Sequence, residues 1–116
     1  MPKIYLSPST QDWNMYVTGS GSEEYNMNLL ADALVPYLLS NGIQYQRNRP
    51  EMTAGSSIRE ANQGEYDLYL ALHSNAAPEG RYGEERGIIA FYYPGSVGGQ
   101  RAAELIAQEL RKIYPL

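Results

Sequence analysis

The chain of 116 residues contains no cysteine, and it has one histidine, one phenylalanine and one tryptophan. Without cysteine there is no disulfide and no thiolate metal site, which leaves histidine, aspartate and glutamate as strong metal ligands. No apolar run approaches the ~20 residues that cross a membrane, so we expect no membrane span. No basic segment followed by a long apolar run opens the sequence, so we expect no signal peptide.

Charge is sparse and mixed. Nine basic and thirteen acidic residues give a net charge of -4 at pH 7, and neither sign forms a long block. Nucleic-acid surfaces concentrate positive charge, so we expect no nucleic-acid partner. Tyrosine is abundant, with eleven copies. The length predicts one domain over residues 1–116, short for an α/β enzyme.

Short apolar strands alternate with amphipathic helices along the chain. The sequence predicts strands at 4–6, 43–47, 66–72 and 87–93, and helices at 23–40, at 53–62 and after the turn at 94–96. This alternation predicts an α/β fold with a mostly parallel twisted sheet of about four strands, flanked by three helices.

Local signals indicate where the helices begin and end. Ser20 and Glu23 have capping-box spacing, and residues 41–42, Asn-Gly, are a typical stop for the first helix. Pro36 lies inside this helix and predicts a kink or a shorter helix. Thr53 is the expected N-cap of the second helix.

The only histidine, His73, stands where the alternation of the third strand stops. Open α/β sheets bind ligands outside the carboxyl ends of their strands, so this imidazole is a candidate metal ligand or acid/base group. A histidine held by hydrogen bonds under a loop fits the position equally well. The topology brings residues 7–11, Glu23 and Glu24 to the same edge, where a carboxylate and an imidazole form part of a metal site. Acidic residues also favour any first helical turn.

A further set of segments occurs in an order that is typical of one enzyme family. The most specific is His73-Ser74-Asn75-Ala76, which follows a strand that carries Asp67 and precedes a glycine-led strand ending in tyrosines. The other matching segments are 4–8, Glu23 leading into 28–31, 42–47, 61–62 and 87–93. In these segments the chain resembles the zinc-dependent N-acetylmuramoyl-L-alanine amidases, which cut bacterial peptidoglycan.

The resemblance implies that Glu23 and His73 hold a zinc cofactor, and it favours Glu23 over Glu24 by the family's spacing to the helix alanine. Arg47 matches a position where the family often has arginine, and it could bind a carboxylate of the muropeptide substrate or pair with a nearby acid. Asn75, just past His73, could bind the substrate or orient the loop. The implied reaction is zinc-assisted hydrolysis of the amide between N-acetylmuramic acid and L-alanine. The implied location is the cell wall or the exterior of a bacterial cell.

Two departures from the family bear on activity. Thr10 stands where the family has its first zinc-binding histidine, and a neutral hydroxyl is a poor zinc ligand beside imidazole. The chain also stops before the late strand that carries the family's catalytic glutamate. We therefore expect a domain that is incomplete at its C-terminal end and inactive by itself, with no catalytic residue assigned.

An alternative function belongs to a different class. A catalytically inactive amidase-like domain would bind cell-wall peptide or act as an assembly partner. In either case an unpaired sheet edge would favour an oligomer or a partner chain.

Overall fold

The computed structural model describes residues 2–12, 15–16, 19–74 and 89–113. Its elements, in chain order, are β1 (Lys3–Pro8), α1 (Glu23–Ser40), β2 (Gln44–Arg47), α2 (Ala54–Gln63), β3 (Leu68–Leu72) and α3 (Val97–Leu110). The chain divides into two compact units, Met1–Ser74 and Asn75–Leu116, and α3 lies in the second unit. The predicted α/β class is confirmed. No helix in these ranges is long and apolar enough to cross a membrane.

The sheet belongs to the first unit and has the strand order β2-β1-β3. Both pairs are parallel, and Ile4 in the central strand lies between Tyr45 and Leu68. Parallel neighbours need a crossover connection, which α1 supplies between β1 and β2 and α2 supplies between β2 and β3. The described part of the chain therefore has three strands rather than about four.

The strand that was predicted at 87–93 is where the expectation fails. Residues 89–93 pair with no strand in the described ranges, and residues 87–88 lie outside those ranges. The side chains of Ile89, Phe91 and Tyr93 are largely exposed. Alternating apolar residues decide which side chains share a face, but a strand forms only where a neighbouring backbone takes up its hydrogen bonds.

The apolar core of the first unit lies between the sheet and α1. Ile4 and Leu6 of β1 pack against Ala31 and Leu38 of α1, and partly buried apolar residues of β2 and β3 surround them. Successive side chains of a strand point to opposite faces, so Tyr5 faces away from α1. Tyr5 is also fully buried, so the central strand is covered on both faces.

The other face of the sheet meets α2 through polar side chains. The amide of Asn48 donates to the hydroxyl oxygens of Ser7 and Ser57, at 3.1 and 3.3 Å, and to the carbonyl of Pro8 at 3.0 Å. The hydroxyl of Tyr69 donates to Ser7 at 2.9 Å. Every buried side-chain nitrogen and oxygen in the described ranges has a hydrogen-bond partner. This polar layer is consequently satisfied within the fold.

The first turn of α1 has a different cap from the one predicted. The N-cap is Ser22, not Ser20, and its hydroxyl oxygen accepts the backbone N–H of Tyr25 at 3.0 Å. The helix starts at Glu23, so the capping side chain has to come from the residue directly before it.

The remaining helix signals follow the predicted pattern more closely. Pro36 does not shorten α1, which continues to Ser40, because the exposed proline interrupts only one backbone hydrogen bond. The helix ends at Asn41, and Gly42 follows with a φ of 72°. Thr53 caps α2 as predicted.

Candidate functional site

Three segments meet at the carboxyl end of the sheet: the end of β1, the start of α1 and the residues after β3. Strands β1 and β3 run parallel and end at the same edge, so the residues that follow them are neighbours. The backbone N–H of Ser9 donates to the carbonyl of Leu72 at 2.9 Å and continues this pairing beyond the strands. The edge therefore has a backbone that is held in place by the sheet.

The carboxylate of Glu23 is buried at this edge and is only 2% exposed. One oxygen, Oε1, accepts the backbone N–H of Ser74 at 3.2 Å. The other oxygen, Oε2, accepts the hydroxyl of Ser9 and lies 3.4 Å from Nδ1 of His73. A carboxylate is stable in such a place only when hydrogen bonds replace its water, as they do here.

The structure brings together the two residues that were predicted as metal ligands. The imidazole of His73 is 41% exposed, so it borders the solvent while its Nδ1 faces the carboxylate. Glu24 is only partly buried, and its backbone N–H donates to the carbonyl of Gln11 at 3.4 Å. Of the two neighbouring glutamates, Glu23 is the one beside His73. A carboxylate and an imidazole at this distance can share a proton or hold a cation.

The loop between β1 and α1 is fastened to the same site. The hydroxyl of Tyr16 hydrogen-bonds with the hydroxyl of Ser74, and Met15 forms an antiparallel bridge with Ser22. Ser74 thus contacts the loop through its side chain and Glu23 through its backbone.

Within the part of the chain that the structure describes, no third metal ligand lies beside the pair. Thr10 follows Ser9, is partly buried, and uses its carbonyl to accept the backbone N–H of Asp12 at 3.0 Å. Within the described ranges, no group of three or more histidine, cysteine, aspartate or glutamate residues could hold a metal ion.

Of the two residues predicted to bind substrate, Arg47 and Asn75, the structure describes only Arg47. The guanidinium of Arg47 contacts Asp32 at 2.6 Å and the side-chain oxygen of Asn28 at 2.9 Å, both on α1. This contact is the pairing with a nearby acid that the sequence also allows for Arg47. Asn75 lies outside the described residues. The role of either residue in substrate binding stays a prediction.

A second ionisable cluster lies on the α2 side of the sheet. The buried hydroxyl of Tyr5 donates to Oε1 of Glu60 at 2.9 Å, and Arg49 contacts Oε2 of Glu60 at 3.0 Å. Burial, and then the bond to Glu60, raise the pKa of Tyr5 well above its usual value. The bond from Tyr5 lowers the pKa of Glu60, and Arg49 adds to this effect. The cluster connects β1 to α2.

Ser9 and Ser74 lie within the segments 7–11 and 73–76 that the sequence indicates, but the sequence assigns neither serine a role in the site. Each is adjacent to a marked position, since Ser9 precedes Thr10 and Ser74 follows His73. That adjacency was the available signal. What makes Ser9 part of the site is its contact with Glu23, and this contact exists only when α1 is docked on the sheet.

Comparison of the chain with protein-family models, with curated proteins and with solved structures gives no match. The class of this protein is therefore described from its fold and site alone. It is an α/β domain with a carboxylate–imidazole pair at the carboxyl end of a parallel sheet. Open α/β sheets bind their ligands at this edge.

Proposed function

We propose that the chain is the amidase-like part of a bacterial peptidoglycan hydrolase, in which Glu23 and His73 hold a zinc ion. The complete protein would hydrolyse the amide between N-acetylmuramic acid and L-alanine. The observation that carries the proposal is the 3.4 Å separation between Oε2 of Glu23 and Nδ1 of His73. Two ligands that each lie about 2.0–2.1 Å from a tetrahedral zinc ion are about 3.3 Å apart, so the pair matches one edge of such a site.

The residues fit a part of a zinc centre. Catalytic zinc sites use three protein ligands and a water molecule, and the described ranges bring together two candidates, Glu23 and His73, without a third. Zinc, when bound, polarises a carbonyl and lowers the pKa of a bound water molecule to about 7. The chain itself holds the carboxylate with Ser9 and Ser74 and presents the imidazole at the strand tip. The hydrolytic activity is assigned to the complete protein.

Zinc binding tests this proposal directly. Calorimetric titration of the metal-free protein with zinc chloride is compared with the same titration of His73→Ala, Glu23→Gln and Glu24→Gln. We expect one zinc ion per chain in the wild type and in Glu24→Gln. Binding should be weakened about tenfold or more in the other two variants, because each removes a protein ligand.

The Glu24→Gln variant is the matched control, because it removes the same charge one residue away from the site. Far-UV circular dichroism checks that all four proteins are folded. If the wild type binds no zinc, or if all four proteins bind it equally, the zinc proposal is wrong.

A second candidate function is a non-catalytic domain that binds cell-wall peptide. The observation that favours it is that both oxygens of Glu23 already have partners inside the fold. Co-sedimentation with insoluble peptidoglycan in the presence of EDTA distinguishes the two functions. Equal binding with EDTA and with added zinc supports the non-catalytic domain, and binding that requires zinc argues against it.

A further inference from the structure

We infer that Ser9 is a positioning residue that fixes the Glu23 carboxylate against His73. The inference rests on the proposed function, because it assigns Ser9 a part in preparing the proposed zinc-binding pair. Ser9 is 1% exposed, and its hydroxyl donates to Oε2 of Glu23. This is the same oxygen that lies beside Nδ1 of His73.

The direction of the Ser9 hydroxyl is determined by its other contacts. Its backbone N–H is bound to the carbonyl of Leu72, which ties the residue to β3. Its Oγ accepts the backbone N–H of Gln11 at 3.1 Å. A serine hydroxyl has a single hydrogen to donate, and here the carboxylate of Glu23 receives it.

Two donors hold the carboxylate, one on each oxygen. The backbone N–H of Ser74 binds Oε1, and the hydroxyl of Ser9 binds Oε2. With both bonds present, the plane of the carboxylate is fixed relative to the imidazole of His73. Without Ser9, the carboxylate keeps the bond from Ser74 and its contact with Nδ1 of His73, but Oε2 loses the hydroxyl that holds it in place. Partners that orient ligand side chains typically contribute about 10–100-fold to metal affinity.

The segment that contains Ser9 has a different role in the resembled family. Ser9 and Thr10 occupy the segment in which the resembled family has its first zinc-binding histidine. In this chain the segment contributes a buried hydroxyl that holds a neighbouring ligand. Ser9 thus acts through Glu23 and has no direct contact with a metal ion in this role.

A pair of serine variants tests the inference. Ser9→Ala and Ser7→Ala each remove a buried hydroxyl from the same segment, and Ser7 is 4% exposed. The partners of Ser7 are Asn48 and Tyr69, which are not part of the proposed site. We expect Ser9→Ala to weaken zinc binding about tenfold or more, and Ser7→Ala to leave the zinc dissociation constant unchanged.

A second readout does not depend on metal. His73 is the only histidine, so the NMR signal of its imidazole Cε1–H group is assigned without ambiguity. In the metal-free protein we expect Ser9→Ala to shift this signal, as Glu23→Gln does, and Ser7→Ala to leave it in place. In the Glu23→Gln background, Ser9→Ala should cause no further shift, because Ser9 acts through the carboxylate.

The inference is overturned if Ser9→Ala and Ser7→Ala give the same imidazole signal and the same zinc affinity. Failure of the proposed function gives a different result. If the wild type binds no zinc, the zinc assignment is wrong, and the metal-free imidazole signal alone decides the role of Ser9. If Ser9→Ala is unstable by itself, the comparison is made in the Glu23→Gln background. There the buried negative charge that the Ser9 hydroxyl stabilises is absent.

Discussion

Buried polar side chains with complete hydrogen bonding are the most informative residues of the first unit. Glu23 has partners on both carboxylate oxygens, and the hydroxyl of Tyr5 is bound to Glu60. Leaving one such group without its partner costs about 1–3 kcal/mol. These residues therefore affect the stability of the fold whether or not they take part in chemistry.

Replacing Tyr5 with phenylalanine tests the α2 side of the sheet. The ring should keep its stacking on Tyr69, where the ring centres are 5.5 Å apart, while the bond to Glu60 is lost. We expect Tyr5→Phe to lower the free energy of unfolding by about 1 kcal/mol in urea titrations at pH 7. Tyr37→Phe, at an exposed position, is the control and should change it by less than about 0.5 kcal/mol.

The raised pKa of Tyr5 predicts a pH effect. In the unfolded chain the hydroxyl loses its proton near pH 10, whereas in the native state it keeps the proton to higher pH. Its contribution to stability is therefore complete below about pH 10 and is lost as the pH rises further. The difference in unfolding free energy between the wild type and Tyr5→Phe should shrink as the pH rises from about 10 to about 12. A constant difference over this interval would contradict the assignment.

At the level of the elements, the ends of the helices are determined by single residues. After α1 the backbone N–H of Asn41 bonds to the carbonyls of Tyr37 and Leu38, at 3.2 and 3.1 Å. Gly42 then takes a φ of 72°, which lies in the left-handed region that favours glycine. This glycine lets the chain leave the helix and enter β2 within a few residues.

Substitution of Gly42 with alanine tests this turn. No atom lies within 4 Å of the added Cβ, so the cost comes from backbone conformation alone. We expect Gly42→Ala to destabilise the protein by about 1 kcal/mol. Gly55→Ala in the first turn of α2, where φ is not positive, is the matched control and should stabilise by about 0.4–1 kcal/mol. Thermal unfolding measures both, and effects of the same sign would refute the prediction.

At the level of the whole molecule, stability of the first unit depends on one small apolar core. The sheet packs on α1 through Ile4, Leu6, Ala31 and Leu38, whereas α2 contributes mainly polar contacts. Typical domains have a free energy of unfolding of only about 5–15 kcal/mol, so the loss of one core side chain removes a large part of it.

Truncation of Leu6 tests the importance of the central strand. The side chain is fully buried, and β1 pairs with both neighbouring strands. We expect Leu6→Ala to cost about 2–5 kcal/mol, measured by urea unfolding, because it leaves a cavity in the core. Leu39→Ala, on the exposed side of α1, is the control and should change stability by less than about 0.5 kcal/mol. Equal effects of the two variants would show that the core lies elsewhere.

The sequence by itself determined the features that depend on neighbouring residues. It predicted α1 at residues 23–40, the cap at Thr53, the stop at residues 41–42 and the α/β class. Helix caps, helix ends and helical periodicity result from interactions within about one or two turns, so the local sequence predicts them. The prediction of a capping box from Ser20 was wrong, because the first helical residue is Glu23 and the cap is therefore Ser22.

Only the tertiary structure decided the features that depend on residues far apart in the chain. These include the absence of a strand at residues 89–93 in the described ranges, the contact of Arg47 with α1 and the hydrogen bond from Ser9 to Glu23. The sequence placed Glu23 and His73 at one edge, and folding set their separation at 3.4 Å. The physical reason is that hydrogen bonds and burial require a partner, and that partner is present only after the sheet and helices have packed.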